Sequence, residues 1–150
     1  NYWEKGFHWD AIQFNFGLHD LRQGRDAESG EWKSHGVEID DYKKNLEIII
    51  SMLKETGAEL IWCNTTPVPN DGGNTSGRRK DEDLIYNKAA LEVVSKYPEI
   101  TITDVNGAVR NSAVYDEWRK GSNVHFNTPQ VQKVLGDTVA DGVRLSLNLN

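Results

Sequence analysis

Cysteine is nearly absent: Cys63 is the only one in 150 residues. No intrachain disulfide can form, so no disulfide scaffold holds the chain together, and the compartment is left open. Apolar runs are short. The longest falls well below the roughly 20 residues that cross a bilayer as a helix, so no membrane partner is expected. Basic stretches are confined to Arg78, Arg79 and Lys80, against a net charge of −6. That balance argues against a nucleic-acid partner and leaves small neutral substrates open. Metal-ligand spacing is missing too: His8, His19, His35 and Asp20 read as a scatter over loops and the sheet rim. The stretch 70–80, NDGGNTSGRRK, has glycines and basic residues but no Walker pattern, so it reads as a solvated loop, with a mobile substrate-side loop as the alternative, and no cofactor is implied.

What is present is ordinary for a globular domain. Apolar residues make up 37% and charged residues 27%, and the length suits one domain with a real core. The chain opens at Asn1 with no Met and no signal peptide, and reads as the later part of something longer or as a processed form. The apolar run from Ala11 to Phe16 ends at Gly17, and His19 and Asp20 follow at once. A short apolar run closed by Gly predicts a strand buried on both faces of a parallel sheet. Ligands in such sheets sit beyond the carboxyl ends of the strands, so His19 and Asp20 stand where chemistry is expected.

Residues 22–36 read as a surface loop. Asp40 and Asp41 favour a helix start, and Ile39, Tyr42, Leu46, Ile49 and Leu53 follow at helical spacing until Gly57. Residues 59–64 predict a second buried strand. A long loop over 65–80 follows and reads as too polar for a core. Asp81 begins another helix with Tyr86, Ala90, Val93 and Tyr97 on one side, and 100–105 alternates as a third strand. One or two short helices are expected over 106–120. Thr128 and Pro129 suit an N-cap and first helical position, and Val131, Leu135, Val139 and Val143 form the last helical stripe. Strands alternating with helices predict βαβ units, hence a single α/β domain over 1–150 with a parallel sheet. Cys63 reads as a small buried apolar group, and Trp62 as core.

His125 lies in GSNVHFNTP, a polar loop just ahead of the capped last helix. A neutral imidazole there can take a nucleophile's proton and return it to a leaving group, the work of a general base. The alternative is a structural loop histidine, and position alone leaves both open.

Taken together, Gly17-Leu18-His19-Asp20 after the first strand and Val124-His125-Phe126 before the last helix resemble the SGNH (GDSL-like) hydrolase family. The helix and strand DYKKNLEIIISMLKETGAELIW, the following TTPVP and the closing VHFNTPQVQKVLGDTVADGV are similar to a bacterial esterase branch of that family. The resemblance covers nearly all of 9–143. It implies a flavodoxin-like three-layer sheet and hydrolysis of carboxylic esters through a serine nucleophile. It further implies that His125 is the base and that Gly17 and His19 stand at the oxyanion and substrate rim, His19 where the family has Asn. An imidazole N–H donates to an oxyanion as an amide does, and one such donor is typically worth about 3–4 kcal/mol. Asp20 is expected to order the turn.

The chain departs from the family pattern in two places. The family has an Asp two or three residues before the base, where this chain has Ser122 and Asn123; a backbone carbonyl or the Asn123 amide oxygen would then orient His125. The second departure is the nucleophile, because no GDS motif is present. Of the eight serines, Ser51 and Ser95 fall in predicted helices and Ser146 in the tail. Ser29, Ser34 and Ser76 fall in loops rather than on a tight strand-to-helix turn. The resemblance also implies that the first two family strands are missing, which would leave 11–16 with a bare apolar edge. A homo-oligomer or a completing segment is therefore expected. The competing expectation is a non-catalytic α/β domain that binds a ligand or self-associates.

Overall fold

The computed structural model describes residues 6, 8–69, 77–120 and 124–149. Its elements alternate as expected: β1 (Ala11–Phe14), α1 (Ile39–Lys54), β2 (Glu59–Cys63), α2 (Glu82–Val94), β3 (Thr101–Thr103), α3 (Val105–Arg110), α4 (Tyr115–Trp118) and α5 (Pro129–Ser146). The three strands form one parallel sheet in the order β1-β2-β3. Register runs from Ala11 opposite Glu59 to Phe14 opposite Trp62, and from Ile61 opposite Thr101 to Cys63 opposite Thr103. The chain is thus α/β with a small parallel sheet and helices on its faces.

Side-chain alternation along β2 explains the layering. Leu60 and Trp62 join Phe14 of β1 in a core closed by Tyr42, Leu46 and Ile50 of α1 and Tyr86, Ala90 and Val93 of α2. Burying each such Leu, Ile or Val contributes roughly 1.5–3 kcal/mol. Ile61 and Cys63 face the other way, and Cys63 stands beside Thr103 in register. There α5 comes so close that a Cβ on Gly142 would overlap the Thr103 hydroxyl. Cys63 is buried, as expected, and burial pushes its thiol pKa up. Along α1 the buried stripe is Tyr42, Leu46 and Ile50, with Ile49 only half-buried. α1 also packs against α2.

Three expectations are corrected. The first strand stops at Phe14, not Phe16, because the next two residues leave the ladder for side-chain bonds. Asn15 Nδ2 donates to the carbonyls of Cys63 and Asn64, both at 2.8 Å. The third strand stops at Thr103, because the Asp104 carboxylate accepts the Gly107 N–H at 2.8 Å and caps α3. Lastly, the segment after β2 is no solvated loop along its whole length. Thr65, Pro67, Val68 and Pro69 are buried, and so is Arg78.

Candidate functional site

The carboxyl end of β1 is built around one carbonyl. The Phe16 oxygen accepts the Tyr42 hydroxyl at 3.0 Å and the Thr65 hydroxyl at 2.8 Å. Burial, with the Asp20 charge nearby, pushes the Tyr42 phenol well above its ordinary pKa, so it keeps the proton this bond needs. Gly17 follows with φ +133°, a backbone region reserved for glycine. The chain then closes a turn in which the Leu21 N–H donates to the Gly17 carbonyl at 2.9 Å. His19 is exposed at the tip and Asp20 half-buried. From outside, Arg78 Nε donates to the Leu18 carbonyl at 2.5 Å. Gly17, His19 and Asp20 are therefore brought together in one rigid turn at the sheet's carboxyl rim.

Asp20 also faces a groove of about 290 Å³ between this turn and α1, lined by Phe16, Tyr42, Asn45, Ile48 and Ile49 among others. Its backbone carbonyl accepts the Val37 N–H at 3.0 Å, which ties the returning loop to the turn.

His125 stands on a different loop. It is exposed, while its neighbours are fixed: Val124 is buried, and the Phe126 ring stacks on Trp118 of α4 with centroids 4.6 Å apart. Gln132 on the first turns of α5 donates to the Phe126 carbonyl at 3.0 Å. A small core of Val109, Trp118 and Val131 underlies this loop. Asn123 lies outside the described residues, as do Ser76 and Ser122. Of the described serines, Ser34 is exposed in the loop before α1, and Ser95 follows the end of α2. Ser29 belongs to the turn held by Asp26, Ser112 donates to the Val109 carbonyl at 2.7 Å, and Ser51 and Ser146 lie within helices.

The best-ordered polar group near the rim was not foreseen from the sequence. Asp83, fully buried on the first turn of α2, accepts the Val68 N–H at 3.0 Å through Oδ1. Through Oδ2 it accepts Asn106 Nδ2 and Arg110 Nη2, each at 2.7 Å. Arg110 also pairs with Asp81 at 3.0 Å and donates to the Tyr115 hydroxyl at 2.9 Å. Burial alone would lower the guanidinium's pKa; the bonds to Asp83 and Asp81 outweigh it and hold it above its ordinary value. Asn87 completes the network, accepting the Thr65 N–H at 2.7 Å and donating to the Thr65 carbonyl at 2.8 Å. Every polar atom of Asp83 is satisfied, so it fixes the loop after β2, and through Thr65 the Gly17 turn. One signal was present: the stripe of Tyr86 and Ala90, extended back three residues, lands a carboxylate on a core position. Its partners Asn106 and Arg110 follow no local spacing.

Among the described residues no group of three or more His, Cys, Asp or Glu side chains is placed to hold a metal ion. No described helix is long and apolar enough to cross a membrane. Compared with models of known protein families and with curated proteins, the chain matches none.

Proposed function

We propose that this chain carries the oxyanion and base elements of an SGNH-type carboxylic-ester hydrolase with a flavodoxin-like sheet, acting on small acyl esters. The observation that carries the reading is the Gly17-Leu18-His19-Asp20 turn, fixed at the carboxyl end of a parallel strand. A donor tip held by buried bonds is what oxyanion stabilisation requires, because the donors must not reorganise as charge develops. His19 N–H and the backbone at Gly17 supply the donors, Asp20 orders the turn, and His125 takes and returns the proton. Asn123, two residues before the base, orients its ring. The serine nucleophile comes from a segment that completes the sheet.

That completion has a physical motive. Among the described residues β1 pairs only with β2, and Phe16 and Ile48, which line the groove beside the rim turn, are 42% and 58% exposed. An open apolar strand edge pairs with another chain. The chain is expected to sediment as a dimer or larger species, or with a second polypeptide; a stable, monodisperse monomer over a wide concentration range refutes this.

A second reading is supported by the described serines, none of which sits on a strand-to-helix turn. On it the domain is non-catalytic and binds a ligand or self-associates. Hydrolysis of p-nitrophenyl acetate by the purified chain, with its intact mass, separates the two. If the chain is an esterase, His125→Ala lowers turnover by roughly 10²–10⁴-fold with circular dichroism unchanged. Unchanged turnover removes His125 as base; turnover in a preparation that carries extra mass or a second polypeptide supports the esterase, and no turnover at the mass of this chain alone favours the non-catalytic domain.

A further inference from the structure

Away from the rim turn, the loop over 21–37 returns to α1 through one densely bonded histidine. His35 Nε2 lies 2.7 Å from Glu82 Oε1 on α2, and its Nδ1 lies 3.2 Å from Glu38 Oε2 at the N-cap of α1. Its side chain is 17% exposed, Glu82 only 8%, and Glu38 58%. The His35 N–H donates to the other oxygen of Glu38 at 3.1 Å. The Tyr86 ring lies against the imidazole at 5.5 Å, and its hydroxyl donates to the Val37 carbonyl at 2.5 Å.

Carboxylates only accept hydrogen bonds, so each ring nitrogen needs a hydrogen to meet its glutamate. A neighbouring atom supports this at Nε2. Gln23 Nε2 lies 2.6 Å from the same ring nitrogen, while Gln23 Oε1 is buried without a partner. An amide's oxygen and nitrogen are assigned from the bonding pattern, not seen directly. Turning the Gln23 amide over removes a donor-to-donor contact and satisfies the orphaned oxygen with the Nε2 hydrogen. With Nε2–H engaged by Glu82 and Gln23, only the doubly protonated ring also satisfies Glu38.

We propose that His35 is a proton-operated clamp, joining Glu38 at the start of α1 to Glu82 on α2 as an imidazolium and releasing Glu38 when Nδ1 loses its proton. The buried Glu82 keeps its bond through Nε2–H. Glu38, its second oxygen now facing a lone pair, is held only by the His35 backbone N–H. The other charged and titratable groups at the clamp do not replace the lost contact. Arg79 approaches Glu82, at 4.0 Å, and Tyr86 is held neutral by burial and by the charges of Glu38, Glu82 and Asp20. Release loosens the loop whose backbone holds the rim turn, since the Gly36 N–H donates to the Arg22 carbonyl at 2.7 Å and the Val37 N–H to that of Asp20. The clamp is independent of which function the rim serves.

Hydrogen exchange of the full chain at pH 5.5 and 7.5, corrected for the intrinsic rate, tests this. Protection of 21–37 is expected to be roughly threefold higher at the lower pH, the size of one exposed ion pair, with β2 as the unchanged reference. His35→Gln removes the pH step. Glu38→Gln inverts it: at the higher pH the carboxamide N–H donates to the unprotonated Nδ1 while its oxygen accepts the His35 backbone N–H, and at the lower pH one of those two bonds is lost. Equal protection in the parent chain at the two pH values overturns the proposal, as does a pH step of the parent's sign in Glu38→Gln. The second variant decides the matter even if His35→Gln fails to fold.

Discussion

Replacing Gly17 by alanine is expected to lower the melting temperature by roughly 10 °C, from a loss of about 3 kcal/mol in a chain of this size. Two costs combine. At φ +133° an L side chain is strained by itself, typically by 1–3 kcal/mol. The added Cβ would also overlap the Thr65 hydroxyl and stand 3.3 Å from the Tyr42 hydroxyl, the two groups that bond the Phe16 carbonyl. If Thr65 turns away, a buried hydrogen bond is lost, at a further 0.5–1.5 kcal/mol. Thr65→Val removes that bond without the backbone strain and is expected to cost about half as much or less. Thermal melts of the two variants check the ranking. A Gly17→Ala variant that melts within 2 °C of the parent (about 0.5–1 kcal/mol) means the turn is not held as described.

Removing the Asp83 carboxylate is expected to cost more, about 3–5 kcal/mol, because it leaves a buried network half satisfied. In Asp83→Ala the Val68 N–H loses its acceptor in the interior, Asn106 Nδ2 keeps only the Thr65 carbonyl, and Arg110 keeps Asp81, Tyr115 and the Asn106 side-chain oxygen. Asp83→Asn preserves the volume but fails for a related reason. Donors approach both carboxylate oxygens, and an amide has one oxygen to offer. A double-mutant cycle with Arg110→Met apportions the loss: a coupling energy near 1 kcal/mol or above is expected, and additive effects would mean that the pair does not interact. Because the network runs through Thr65 to the Phe16 carbonyl, amides of the Gly17 turn should also exchange faster in Asp83→Asn.

The α/β order, the helix over Ile39–Lys54 and the last helix after Thr128 and Pro129 were legible in the residues, because hydrophobic period and capping chemistry are local. So was the burial of Trp62 and Cys63. Strand ends were not. Phe14 and Thr103 close their ladders because Asn15 and Asp104 find partners 48 and 3 residues away, and only the first of those distances is hidden from local pattern. Asp104, followed three residues later by the N–H it caps, was within reach of a capping argument.

The rim shows the same division. His19, Asp20 and His125 were singled out by their places in the chain and Gly17 by the family resemblance, and the tertiary structure places Gly17, His19 and Asp20 in one turn and His125 on a loop stacked on Trp118. What holds that turn, Tyr42, Thr65, Asp83, Asn106 and Arg110, comes from four separate stretches of the chain. Buried polar groups must find partners wherever the fold brings them, and sequence separation carries no trace of the choice. His35 makes the point most simply. By sequence it is a histidine in a polar loop; its character comes from Glu82, 47 residues on, which only the packing of α2 against the loop brings within 2.7 Å.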